Sequence, residues 1–194
     1  MKMVTKVFAG SLLVAAMATQ LTACFPVVAG GVAATGVMAA DRRTSGTYIE
    51  DQSIELKAKK NIVDNIGAAN IHVNVTSYNR NVLLTGEVIN EAAKTKAEAA
   101  TKAIDNVRTI TNELTVDENS KFTERNNDTY ITSKVKASMI KENRFPANYV
   151  KVVTEAGTVY LMGIVKHKEA DDAVEIARSI EGVNKVVKVF EYIE

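Results

Sequence analysis
Few residues in this chain of 194 amino acids could do chemistry, and their spacing decides against most of it. The single cysteine, Cys24, stands in "LTACFPVVAGG" with no histidine, carboxylate or second thiol beside it to make a metal set or a catalytic pair. His72 and His167 are expected in structural or surface roles, because neither has a cysteine or a patterned carboxylate near it in sequence. Ser133 and Ser138 have no base at helical spacing, and no G-x-S-x-G motif occurs. Asp171 and Asp172 fall at the start of an expected helix, where carboxylates favour its positive end without any calcium. "AGG" and "TEAGT" lack the lysine of a phosphate-binding loop. The expectation is a protein that is not an enzyme and has no catalytic residue, metal or cofactor.

What remains for Cys24 is attachment. Residues 1–23 have the form of a secretory signal: Lys2 and Lys6, then an apolar run from Val7 to Ala18 that is too short for a good membrane span. Leu21-Thr22-Ala23-Cys24 resembles the bacterial lipobox, in which the signal is cut before the cysteine, its sulfur receives a diacylglycerol and the new N-terminus is acylated. Each buried methylene contributes about 0.8 kcal/mol, so three acyl chains anchor firmly. Phe25 stands where an aspartate tends to hold bacterial lipoproteins at the inner membrane. The resemblance therefore implies a lipid-anchored protein of the outer membrane, facing the periplasm. Residues 24–47 are small and apolar, then polar, and are expected to be the acylated cysteine and a flexible tether. Loss of Lys2 and Lys6 with the signal leaves 22 basic against 23 acidic side chains, a net charge of −1. That balance, with no tryptophan to stack on bases, argues against nucleic acid as a partner.

Beyond the tether the chain repeats itself. Sliding it by 77 positions places residues 51–90 on 128–167 with ten of forty identical, among them Asp51 on Asp128, Ile54 on Ile131, Val82 on Val159 and Gly86 on Gly163. In each copy a helix is expected to start at the aspartate, which caps its first amides, with Ile54, Ala58 and Ile62 or Ile131, Val135 and Met139 on the buried stripe. Two alternating segments follow, joined by "YNRN" or "EAGT" turns, then a second helix and a last strand. The order is α-β-β-α-β. The fold class is α/β, two tandem copies, each a small mixed three-stranded sheet covered on one face by two helices. Expected boundaries are 48–117 and 128–194, with 118–127 as a polar linker in which Phe122 packs into the seam between copies.

The "D…I…KVK" helix, the "V.VTEAGTVYLMGIV" hairpin and the "A..I.GV..V" turn from helix to strand resemble the BON domain, over about 49–117 and 126–193. Copy one departs from the pattern at Asn106, where the family has glycine; asparagine tolerates a left-handed backbone better than most residues. A lipobox, a tether and two such domains together resemble the dual-BON outer-membrane lipoproteins. That resemblance implies a non-enzymatic role in envelope integrity and binding of anionic phospholipid through the first helix of the second copy. A periplasmic scaffold for the outer-membrane protein assembly machinery is the alternative, and a haemolysin or cytolysin a minor one. The residues agree with the lipid reading in one respect. From Glu50 to Asp64 the charges sum to −1, whereas from Asp128 to Lys141 they sum to +2. Tyr130, Lys134, Lys136 and Lys141 are accordingly the candidate phospholipid-binding residues. Tyrosine suits a headgroup interface, and each lysine near an anionic surface contributes roughly 1 kcal/mol.

Overall fold
Helical spacing and strict alternation follow one another twice along the chain, and the secondary structure follows them. The computed structural model describes residues 41–68, 71–117 and 122–194, the first three residues of the last stretch by backbone alone. Cys24, the signal, most of the tether and the side chain of Phe122 lie outside the described residues. The first copy comprises α1 (Ser45–Ile66), β1 (Ile71–Tyr78), β2 (Asn81–Val88), α2 (Glu91–Lys102), β3 (Thr109–Asn112) and β4 (Thr115–Val116). The second comprises α3 (Phe122–Glu142), a short 3-10 turn (Ala147–Tyr149), β5 (Val150–Glu155), β6 (Thr158–Val165), α4 (His167–Arg178) and β7 (Lys185–Tyr192).

Each sheet is mixed, as expected. β2 pairs antiparallel with β1 and parallel with β3, and β6 pairs antiparallel with β5 and parallel with β7. The last strand of copy one is interrupted at Glu113 and Leu114, so β4 continues the pairing on β2 as a separate piece. Alternation along the central strands sorts their side chains between two faces. Val82, Leu84 and Val88 join Ile54, Ala58 and Ile62 of α1 in one core, and Val159, Leu161 and Val165 join Ile131, Val135 and Met139 of α3 in another.

The residues between them, Leu83 on β2 with Tyr160 and Met162 on β6, gather with Tyr78 in a third cluster that spans both copies. Helices cover one face of each sheet, and the remaining face of each meets the other. This explains why both sides of the central strands are covered: the second side of β6 is apolar, with Tyr160, Met162 and Ile164, and that of β2 carries Leu83 beside the buried Thr85 and Glu87.

Two boundaries differ from expectation. α1 starts six residues before Asp51, capped by Thr44, whose hydroxyl accepts from the Thr47 amide at 3.1 Å. α3 starts at Phe122, inside the expected linker. The aspartates therefore cap no helix. Asp51 is 1% exposed and its carboxylate accepts from the Asn79 and Arg80 amides at 2.9 and 2.7 Å and from the Ser77 hydroxyl at 2.6 Å. Asp128 accepts from the Ala156 and Gly157 amides, both at 2.9 Å. The repeated aspartate thus holds the tip of its own hairpin, where both turn residues have positive φ in each copy.

The segment from Asp41 to Arg43, expected within the tether, is held by the fold. Arg42 makes a two-pronged pair with Glu169 of α4 at 2.7 and 2.8 Å, donates to the Ile164 carbonyl at 2.8 Å and lies 3.8 Å over the Tyr149 ring. Arg43 pairs with Asp51 at 2.9 Å and lies 4.0 Å over Tyr78. These two arginines tie the approach to α1 onto both copies.

Candidate functional site
α3 is built to bury one stripe and expose the rest. Ile131, Val135 and Met139 recur at intervals of four and fill the core, so the residues between them face outward. Tyr130, 57% exposed, begins the outer face, and Lys134 lies with its ammonium 4.6 Å from the centre of the Tyr130 ring. The Tyr130 side chain, by hydrogen bonding and then by charge, holds the Lys134 ammonium above its ordinary value of 10.5, so it is charged at any physiological pH. Lys141 falls eleven residues after Tyr130, within about 20° of it around the helix, and is exposed.

Lys136 does not belong to this row. Six residues from Tyr130, it is turned about 120° away and lines a shallow groove with Arg43, Tyr48, Tyr78, Ile140 and Lys151. Two of those cations are already paired, Arg43 with Asp51 and Lys151 with Glu55 at 3.0 Å. The four candidate residues therefore divide into a ridge of Tyr130, Lys134 and Lys141 and a flank at Lys136. Between them stands Ile140, 68% exposed, which charge counting alone did not single out. An exposed isoleucine one helical turn after a lysine on an otherwise polar face is the signal that would have found it.

α1 is the internal comparison. It too exposes apolar side chains, Ile49, Leu56 and Val63, spaced seven apart. Its charges, however, sum to −1: Asp64 occupies the position equivalent to Lys141 and forms an ion pair with Lys60. Among the described residues no carboxylate forms an ion pair with Lys134, Lys136 or Lys141. No helix of the described residues is long and apolar enough to cross a membrane.

The histidines divide as well. His167 is exposed and stacks on Tyr192, ring centres 4.4 Å apart and 11° from parallel. His72 corrects the expectation that it has no carboxylate partner. On β1 it faces Glu87 across the strand pair, with Nδ1 2.9 Å from Glu87 Oε2 and 3.7 Å from Oε1 of Glu155 in the other copy. Asn74 Nδ2 donates to the second oxygen of Glu155 at 2.8 Å. Burial, opposed by the Asn74 hydrogen bond and the His72 charge and reinforced by Glu87, raises the Glu155 carboxyl above its ordinary value of 4.5. Sequence spacing could not show this cluster, since 83 residues separate His72 from Glu155.

A hairpin whose turn is held by an aspartate from the preceding helix, a crossover helix and a parallel third strand, present twice, define the class. The BON domain family model matches residues 50–118 and 127–194, and the chain belongs to that family. It is 39% identical to the outer membrane lipoprotein DolP of Haemophilus influenzae over 90% of this chain and 91% of that protein. It is 32% identical to a 21 kDa hemolysin of Actinobacillus pleuropneumoniae over 79% and 80% of the two chains. It is 28% identical to the osmotically-inducible protein Y of Escherichia coli over 73% and 72%. The chain is a lipid-anchored protein of the outer membrane, facing the periplasm, with a non-enzymatic role in the envelope.

Proposed function
We propose that this protein supports envelope integrity by binding anionic phospholipid through the outer face of α3. The observation that carries the reading is the exposure of Tyr130 and Ile140 between lysines that no carboxylate of the described residues pairs with, on the one first helix whose charge is positive. Two partly inserted apolar side chains and three lysines, at roughly 1 kcal/mol per lysine, give weak binding on their own. Acylation at Cys24 makes weak binding sufficient, because a tethered domain meets the surface at a high effective concentration. Lipid anchor and helix then have separate tasks: the first keeps the protein at a membrane and the second selects its anionic regions.

The test is binding of the protein to vesicles with and without anionic lipid, comparing wild type with Lys134→Glu/Lys136→Glu/Tyr130→Ser. A reference variant, Ile49→Ser/Leu56→Ser, removes exposed apolar area from α1, whose net charge is −1. Binding that depends on anionic lipid, falls in the first variant and survives in the second supports the proposal. Binding indifferent to lipid charge, or lost equally in both, removes it. Retained association with envelope proteins but not with lipid would favour the scaffold for outer-membrane assembly, and dye release from the vesicles the cytolysin.

A further inference from the structure
We propose that His72, Glu87 and Glu155 form a binding site for one divalent cation of the zinc class at the seam between the two copies. The three side chains converge: one ligand atom from each lies within 4.8 Å of the others. In a tetrahedral zinc site with bonds of about 2.1 Å, neighbouring ligand atoms are about 3.4 Å apart. The distances from His72 Nδ1 to the nearest oxygens of Glu87 and Glu155, 2.9 and 3.7 Å, bracket that value. Small rotamer adjustments place all three atoms on one ion and leave a fourth position for water. One imidazole and two carboxylates suit zinc or manganese better than magnesium, which prefers an all-oxygen set rich in water. With the imidazole neutral, the two carboxylates balance the charge of the ion.

The surroundings fit a ligand set. The side chains of His72, Glu87 and Glu155 are 18%, 7% and 9% exposed, so the acidic pair is removed from most water. The Asn74 amide fixes the oxygen of Glu155 that points away from His72, as an outer hydrogen bond orients a ligating carboxylate. The repeat supplies a comparison within the molecule. Shifted by 77 positions, His72 and Glu87 correspond to Tyr149 and Ile164, and Glu155 corresponds to Tyr78. At those equivalent positions the chain supplies its own cations: Arg42 lies over Tyr149 and donates to the Ile164 carbonyl, and Arg43 lies over Tyr78. Since Glu155 belongs to copy two and the other ligands to copy one, a cation held by all three pins the copies together.

The experiment uses the full chain purified in detergent, with zinc chloride as the probe and magnesium chloride as the parallel arm. Calorimetry and thermal unfolding are run on wild type, Glu155→Gln, His72→Gln and His167→Ala. Expected are one zinc per wild-type chain, a midpoint raised by several degrees at saturating zinc, and little response to magnesium. Affinity should fall at least about tenfold in Glu155→Gln and His72→Gln and be unchanged in His167→Ala. Midpoints without metal show whether each variant folds. X-ray absorption on the wild-type zinc complex keeps the test independent of the variants: one imidazole among oxygen donors supports the site, and a shell with two imidazoles overturns it. No zinc binding by wild type, equal binding by the folded Glu155→Gln variant, or loss in His167→Ala also overturns it.

Discussion

Asp51 is the residue whose replacement tests the fold most sharply, because two readings of it predict different energies. If it were a helix cap, Asp51→Ala would cost about 0.5–2 kcal/mol and Asp51→Ser almost nothing, serine being an equally good cap. The structure instead gives the buried carboxylate four donors: two turn amides, the Ser77 hydroxyl and the Arg43 guanidinium. Hydrogen bonds to a charged group contribute about 1.5–3 kcal/mol each, but they share one carboxylate and the turn amides can recover some water, so the sum is discounted to about 4 kcal/mol. Removing one partner of a buried ion pair costs about 3–5 kcal/mol, which agrees. For a folded unit of this size about 4 kcal/mol lowers the thermal midpoint by roughly 8–16 °C. Asp128 holds only the Ala156 and Gly157 amides, so Asp128→Ala should cost about 2–3 kcal/mol. The assay is thermal and urea unfolding of Asp51→Ala, Asp51→Ser and Asp128→Ala. Serine has one acceptor on a shorter side chain and cannot serve four donors, so Asp51→Ser should behave nearly as alanine does. An Asp51→Ser protein within about 1 kcal/mol of wild type would refute the turn-holding role and restore the cap.

Two further outcomes follow from single contacts. Gly86 has φ of 110°, and a Cβ added there would lie 1.9 Å from the His72 carbonyl oxygen, so Gly86→Ala must move the β1–β2 pairing and should cost about 3 kcal/mol, read by urea unfolding. Hydrogen bonding from Arg42, with the Lys166 amide assisting against burial, holds the Glu169 carboxyl below its ordinary value of 4.5. A depressed carboxylate stabilises the fold above its unfolded value and loses that contribution as pH falls through the folded value. Wild type should therefore lose more stability than Arg42→Ala on going below pH 4.5, in unfolding measured across pH, and parallel curves would show that the pair contributes nothing.

The elements were legible because their causes are local. Ile54, Ala58 and Ile62 declare a buried helical stripe and Val82 with Leu84 one face of a strand, and the 77-residue repeat doubles every such signal. Asn106 was legible for the same reason: its φ of 69° beside 92° at Gly182 keeps the turn that glycine makes in copy two. Illegible were the contacts between residues distant in sequence. A capping aspartate and a turn-holding aspartate look the same in one dimension, and only the return of the hairpin to α1 distinguishes them.

The candidate site divides along the same line. Charge on α3 could be counted and its spacing already turns Lys136 away from Tyr130, but that Lys136 meets Arg43, Tyr78 and Lys151 depends on contacts distant in sequence. The seam does not obey local pattern. Where two similar sheets press together by their second faces, each residue packs on the other copy, so the pattern within one copy does not show its neighbours; Leu83 and Tyr160, equivalent in the repeat, meet there. Tyr78, Leu83, Tyr160 and Met162 make that contact apolar at the centre. Around it the copies have diverged: Tyr78 of copy one and Tyr149 of copy two lie under arginines, whereas at the equivalent positions Glu155 of copy two and His72 of copy one stand together with Glu87. Divergence between repeats at shared contacts, with identity retained at Asp51 and Asp128, Val82 and Val159, and Gly86 and Gly163, separates what each copy needs to fold from what the pair does together.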